Sequence, residues 1–315
     1  TGPNKLNTSF LGVDETLPFN NLPLVPGVQP GVELVEIRSD RCLDVAGGVI
    51  TGQFTTYAVS PDVEVTVSAD GVLGPITMAP STNPAATCTV EGELWEGTKW
   101  EIHVPTAAGI VTTDLHLVDA SLDDHGATVY LWHVNRSRVQ GQKLQTPVYA
   151  PVCAEDLDRA ALGLRYHAYL VPDLQVDASS GDFSYAPPGD SAFLACISGA
   201  TGKSISFGYQ PWEHGEGAHL AATRMLRADY CGDGVAHTTV GTPIRLQDSL
   251  GVYTEPPPAG VYEVEAVWSI DTGAAICLTE PRLGVAVACA GGPLPVCSPS
   301  HLDLDDEEII ITWVH

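Results

Sequence analysis

Basic residues are scarce in this sequence. Only four of its 315 residues are lysine, and lysine and arginine together number 14 against 39 acidic residues. The formal net charge of −25 repels the phosphates of nucleic acids and the head groups of anionic lipids. We therefore predict no nucleic-acid partner and expect the surface to attract cations.

Long apolar runs and the short motifs of common enzyme classes are also missing. No stretch approaches the roughly 18 apolar residues of a membrane-spanning helix, so we predict no membrane span. The sequence contains no GxSxG, HExxH, P-loop or GxGxxG motif. On these grounds we assign no catalytic residue and favour a function other than catalysis.

Cysteines are present in an even number and are widely spaced, with no CxxC pair. This pattern favours four disulfides over a zinc site. Disulfides persist in oxidising compartments, so we predict an extracellular, periplasmic or cell-surface protein. The opening residues, TGPNKLNTSF, fit the start of a mature exported chain. The predicted half-cystines are Cys42, Cys88, Cys153, Cys196, Cys231, Cys277, Cys289 and Cys297.

Strand patterns dominate the chain and predict a mainly β fold. Residues 62–68, 128–134 and 261–270 alternate apolar and polar side chains, and residues 308–315, which are rich in β-branched and aromatic types, are predicted to form a further strand. One clear helix is predicted near 217–230, where an apolar stripe repeats at helical spacing. A shorter helix is predicted over 154–164.

Proline- and glycine-rich stretches predict two or three small β-rich domains. Residues 1–31 form an N-terminal arm and linker, and residues 32–104 form an N-terminal β domain. A middle β region covers residues 105–195, and a C-terminal domain covers residues 196–315. The boundaries follow changes in composition, and no regular repeat is present.

The stretch RADYCGDGVAHT, residues 227–238, concentrates residue types that active sites use. A free Cys231 with His237 would be a thiol–imidazole pair, whereas a disulfide at Cys231 would make the stretch a structural turn. Asp229, Asp233 and Asp248 are candidate calcium ligands, although their spacing matches no EF-hand. We predict the disulfide, and we predict no cofactor or metal.

Other potential metal ligands follow no recognisable spacing. The stretch PWEHGEGAH, residues 211–219, is interrupted by glycine and is interpreted as a surface loop that leads into a helix. The histidines at His103, His116, His125 and His133 lie in or near predicted strands and are too scattered to define a site.

Three segments, CISGATGKSISFGYQPW (196–212), HLAATRMLRADYCGDG (219–234) and HTTVGTPIRLQDSLGV (237–252), resemble the ADYC domain family. The resemblance covers about residues 196–280, and residues 105–195 resemble the preceding region more loosely. It implies an exported protein of a kind found mostly in myxobacteria, and it implies no activity because the family has none assigned. The matching motif core, interpreted as structural, is Trp212, His219, Arg224, Arg227, Asp229, Tyr230, Asp233 and His237.

Two cysteines of the family pattern are replaced together, by Ser204 and Ala222. Their joint loss keeps the count even, which suggests that the remaining cysteines are paired. We predict the pairs Cys42–Cys88, Cys153–Cys196, Cys231–Cys277 and Cys289–Cys297. In this prediction Cys231 fastens the turn after the helix to a strand, Arg224 and Arg227 neutralise the two aspartates of the turn, and Tyr230 is buried with its hydroxyl bonded.

We therefore expect an exported structural or binding protein at or outside the cell surface. Two alternatives stay open. One is a hydrolase that acts on extracellular polymers, and the other is a self-assembling subunit that adds an edge strand to a neighbour.

Overall fold

The computed structural model describes residues 21–23, 27–28, 33–57, 65–80, 86–106, 109–135, 148–156, 159–176, 183–185, 191–239, 242–258, 260–304 and 308–314. The two α-helices in these ranges are α1 (Ala200–Ser206) and α2 (Pro211–Arg227). Single turns of 3-10 helix lie at Gly92–Trp95, Ala160–Leu162 and Pro299–His301. The strands are β1 (Asn21–Pro23), β2 (Gly27–Val28), β3 (Glu33–Leu43), β4 (Val49–Tyr57), β5 (Ile76–Pro80), β6 (Cys88–Val90), β7 (Lys99–Thr106), β8 (Gly109–Leu122), β9 (Thr128–Asn135), β10 (Tyr149–Pro151), β11 (Ala168–Pro172), β12 (Leu174–Val176), β13 (Phe183–Tyr185), β14 (Ser191–Cys196), β15 (Arg245–Asp248), β16 (Glu263–Ser269), β17 (Ala275–Leu278) and β18 (Ile309–Val314).

The chain divides into two compact units, and the predicted mainly β class is confirmed. The first unit consists of the described residues from 21 to 174 and of residues 191–198. Its antiparallel sheet has the strand order β1-β14-β11-β9-β8-β7-β3-β4-β5-β6, with β2 beside β3 and β10 beside β9. Strand β3 also pairs with β6, so the first and the last strand of the segment β3–β6 are hydrogen-bonded to each other.

The predicted border between residues 104 and 105 falls inside β7. This strand pairs with β3 on one side and with β8 on the other, so residues 32–104 and 105–195 contribute to one sheet. Composition and periodicity identify strands but do not show which strands share a sheet. The N-terminal arm lies outside the described residues up to position 20, and β1 and β2 occupy part of the predicted linker.

Alternation along the strands builds the core of the first unit. On β8 and β9 the pairs Leu115–Val134 and Leu117–Trp132 point into the core, because successive side chains of a strand lie on opposite faces. The Trp132 ring meets Trp100 edge to face, with centroids 5.3 Å apart. The polar residues between these core positions form the outer face of the sheet.

The second unit consists of residues 175–176, 183–185 and the described residues from 199 onward, and it contains the ADYC tetrapeptide. Its main sheet has the order β15-β18-β16-β17. Apolar clusters pack on both faces of this sheet, which explains why β18 is buried at every position and is apolar except at Thr312. The α2 helix contributes Ala218, Ala221, Ala222 and Met225 to one of these clusters.

Helix α2 begins six residues before the predicted start at 217. Gly215 interrupts it with φ 84° and ψ 160°, values that side-chain-bearing residues rarely adopt. Gly217 lies against Ile270, the residue that follows β16, and a Cβ there would be 2.6 Å from the carbonyl oxygen of Ile270. No described helix combines the length and the apolar character that a membrane crossing needs.

Two other local predictions are wrong. The helix expected over 154–164 is only the 3-10 turn Ala160–Leu162, and residues 157–158 lie outside the described ranges. The strand expected over 62–68 is reduced to an isolated bridge between Val67 and Leu73, with residues 62–64 outside the described ranges. Short patterns of this kind lack the cooperative length that stabilises a regular element.

All eight cysteines form disulfides, as predicted. The pairs Cys42–Cys88 and Cys153–Cys196 are confirmed.

The other two predicted pairs are wrong, because Cys231 bonds to Cys289 and Cys277 bonds to Cys297. The amide of Leu278 donates to the carbonyl of Pro295, which places the segment before Cys297 beside β17. Tertiary pairing of this segment, and not the short separation between Cys289 and Cys297, sets the connectivity.

Candidate functional site

The end of α2 places the ADYC tetrapeptide in a tight turn. Ala228 has left-handed backbone angles, φ 52° and ψ 40°, at the position where glycine usually ends a helix. Its amide donates to the carbonyl of Met225, and the Asp229 amide donates to that of Arg224. Holding an alanine in this conformation costs about 1–3 kcal/mol, so the surrounding contacts must impose the turn.

The side chain of Asp229 stabilises the turn through hydrogen bonds to backbone amides. Its side chain is fully buried and accepts backbone N–H bonds from Asp233 at 3.1 Å and from Gly234 at 2.9 Å. Burial raises the pKa of the Asp229 carboxyl, and these amides together with Arg224 and Arg227 act in the opposite direction. Backbone amides therefore hold this carboxylate directly, while the two arginines act on it through their charge.

The remaining polar groups of the turn also have structural partners. Arg227 is buried and donates to the carbonyl of Gly234. Asp233 is exposed and accepts from the amide of Val235 at 3.0 Å. Arg224 lies over the ring of Phe183, 5.3 Å from its centroid.

Tyr230 lies at the centre of an aromatic stack. Its ring centroid is 5.4 Å from that of Trp268 and 5.7 Å from that of His237, with interplanar angles of 21° and 29°. The hydroxyl donates to Glu265 Oε1 at 2.7 Å and accepts from the amide of Arg282 at 3.1 Å. The predicted hydrogen bond of this buried phenol is therefore present, and burial raises the pKa of Tyr230 well above its ordinary value.

Sequence reasoning missed the two charged partners of Tyr230. Glu265 and Arg282 form an ion pair at 2.6 Å, with side chains 0% and 2% exposed. The register between β16 and β18 shifts between Val264 and Ala266, so Glu265 is a bulge residue, and bulges commonly redirect a side chain. The alternating run 261–270 contains two glutamates, the exposed Glu263 and the buried Glu265, and the alternation does not distinguish them.

Arg282 also completes the C-terminus of α2. Its guanidinium donates to the carbonyls of Leu226 at 3.1 Å and Met225 at 2.7 Å. Terminal helix carbonyls lack partners within the helix, and a cation there also interacts favourably with the helix dipole. The buried network of Tyr230, Glu265 and Arg282 thus connects α2, β16 and the loop after β17.

His219 and Trp212 belong to the same helix but not to this network. The imidazole of His219 is fully buried, with Nε2 2.9 Å from the carbonyl oxygen of Thr201 and Nδ1 2.7 Å from the Tyr185 hydroxyl. Burial lowers the pKa of His219 to about 4. At neutral pH the ring is therefore uncharged, so Nε2–H donates to Thr201 and Nδ1 accepts from Tyr185. Trp212 is half-buried in the first turn of α2.

The candidate calcium ligands accept hydrogen bonds from groups within the protein. Asp248 is buried and accepts from the Tyr209 hydroxyl at 2.9 Å and from the amides of Leu250, Val252 and Tyr253. Within the described ranges, no group of three or more histidine, cysteine, aspartate or glutamate residues has the geometry to hold a metal ion.

The positions of the two replaced cysteines also lie together. Ser204 on α1 and Ala222 on α2 are fully buried, and Ser204 Oγ is 2.9 Å from the hydroxyl oxygen of Thr223, the residue next to Ala222. The polar contact between Ser204 and Thr223 therefore joins the two helices where the family pattern places cysteines.

Comparison with known proteins identifies the family. The chain matches the family model described as the ADYC domain over residues 92–284, a longer segment than the motifs alone indicate. Searches of curated proteins and of solved structures each found no match. Since the matched segment spans more than half of the sequence and includes the turn, the aromatic stack and the buried ion pair, this chain belongs to the ADYC domain family.

Proposed function

We propose that this protein acts outside the cytoplasm as an exported, disulfide-bonded structural or binding protein, and that its ADYC motif maintains the fold and performs no chemistry. The observation that carries this proposal is the use of the motif's reactive groups in structural contacts. Asp229 is bound by backbone amides, Tyr230 by Glu265 and Arg282, and Cys231 by Cys289.

The disulfides support the proposed compartment. Four bridges with sequence separations between 20 and 58 residues stabilise the two units chiefly by restricting the unfolded chain. Loss of a native disulfide commonly costs about 2–5 kcal/mol, and the cytoplasm keeps such thiols reduced. A chain that depends on four of them is suited to an oxidising environment.

Contacts around Cys231 speak against a thiol–imidazole pair in this turn. A thiol nucleophile must be free and needs an imidazole within hydrogen-bond reach. Here the sulfur is bonded to Cys289, and the ring of His237 stacks on Tyr230 with the planes 29° apart. These contacts suit a rigid turn better than a thiol–imidazole pair.

Expression of the same chain with and without a bacterial export signal tests the proposal. We expect the exported form to contain no titratable thiol after denaturation and to resist trypsin. The cytoplasmic form should contain eight thiols and be digested, because it lacks its disulfides. A reduced cytoplasmic form that melts and resists trypsin like the exported one would contradict the proposal.

A second candidate function, addition of an edge strand, is favoured by residues 285–288. This uncharged V-A-V-A segment is largely exposed, and its four residues form no hydrogen bond with any described residue. Exposed backbone with unpaired N–H and C=O groups can pair with a further strand. If this segment pairs with a second copy of the chain, light scattering at high salt should detect oligomers. Val285→Lys should abolish the oligomers, whereas the control Val261→Lys, at another exposed valine, should preserve them.

A further inference from the structure

Two histidines are directly opposite each other on the outer face of the large sheet. The register pairs His116 on β8 with His133 on β9, between the core pairs Leu115–Val134 and Leu117–Trp132. Because those neighbours point into the core, both histidines lie on the opposite face. Residues directly opposite on antiparallel strands have Cβ atoms about 4.5–5.5 Å apart, a separation that lets two imidazoles reach one atom.

The environment keeps both rings accessible and uncharged. Each histidine is half-buried, and the Tyr149 ring lies against His116 with the centroids 5.7 Å apart. Burial lowers the pKa of both imidazoles, and the charges of Lys99 and His133 lower that of His116 further. At neutral pH each ring therefore has a lone pair, which is the form that binds metals.

We propose that His116 and His133 bind a divalent transition-metal ion, with copper(II) bound most tightly, and that water completes the coordination. Imidazole suits copper and zinc, and copper(II) generally has the highest affinity among the divalent first-row metals. With two protein ligands the site accepts an ion that exchanges with solution. It differs in position and chemistry from the calcium site considered above.

Nearby charges modify the affinity in a predictable direction. Lys99 lies opposite His116 on β7 and opposes binding of a cation. The charge of Asp40 acts in the opposite direction and favours a cation at His116. The net charge of −25 also attracts cations to the surface as a whole. Removing the lysine charge should therefore tighten the site.

Calorimetric titration of the full chain with copper(II) at neutral pH tests the proposal. We expect one tight equivalent, weakened at least tenfold by His116→Gln and by His133→Gln. His103→Gln is the matched control, since His103 lies on β7 and pairs with Glu33 at 3.0 Å. That variant should bind like the parent, and Lys99→Gln should bind more tightly.

Electron paramagnetic resonance of the bound copper provides a second measurement. The parent should show hyperfine coupling of the copper to nitrogens of two imidazoles. Each single variant should lose the coupling to the imidazole that it removes, while its near-ultraviolet circular dichroism stays unchanged. The proposal is overturned if the parent binds no equivalent more tightly than the double variant His116→Gln/His133→Gln does. Equal binding by parent and single variants also overturns it.

Discussion

Replacing Tyr230 with phenylalanine should destabilise the second unit although the ring and its stacking are retained. The change removes the hydroxyl that donates to Glu265 at 2.7 Å and accepts from the amide of Arg282 at 3.1 Å. A hydrogen bond to a charged group contributes about 1.5–3 kcal/mol, and a buried donor without an acceptor costs about 1–3 kcal/mol. We expect a total loss of about 2.5–6 kcal/mol in the free energy of unfolding.

Urea unfolding followed by tryptophan fluorescence measures this loss, since the ring stacks on Trp268. The control is Tyr262→Phe, which removes a hydroxyl that accepts an exposed hydrogen bond from Arg245 at 3.4 Å and should cost less than about 0.5 kcal/mol. A double-mutant cycle with Glu265→Gln should give a coupling energy near the value of one charged hydrogen bond. If Tyr230→Phe unfolds at the same urea concentration as the parent, the network does not hold this unit together.

Three further predictions concern pH, salt and the helix contact. Burial lowers the pKa of His219 from 6.5 to about 4. The neutral ring therefore contributes about 3 kcal/mol to the free energy of unfolding above pH 6.5, and this contribution is lost as the pH falls toward 4. Urea unfolding between pH 4 and 8 should show this loss in the parent and in His214→Gln but less of it in His219→Gln. The melting temperature should rise between low salt and about 0.5 M NaCl because screening weakens self-repulsion, and a flat or falling curve would contradict this. The double variant Ser204→Cys/Ala222→Cys should form a fifth disulfide, seen by mass spectrometry as a 2 Da loss; two free thiols would argue against it.

Much of the fold followed from patterns that are local in the sequence. Alternation identified the strands at 128–134 and 261–270, and the helical stripe identified most of α2. The family resemblance marked the turn at 228–231 as an important element. These predictions succeeded because burial on one face of a long strand or helix imposes its period on neighbouring residues.

The partners within the candidate site could not be predicted in this way. Tyr230 was expected to be buried with its hydroxyl bonded, but Glu265 and Arg282 are 35 and 52 residues away in the sequence. A bulge in β16 and the path of the loop after β17 bring them together. Neither feature leaves a periodic signal.

The sequence by itself determined the charge, the parity of the cysteines, the β class and the family, because each depends on composition or on neighbouring residues. Only the tertiary structure decided that Cys231 bonds to Cys289, that residues 104 and 105 share a strand, and that His116 faces His133. These contacts depend on strand register and loop path. Both are set by how the whole chain buries its apolar surface, so a shift of one residue would separate the two histidines while leaving the composition unchanged.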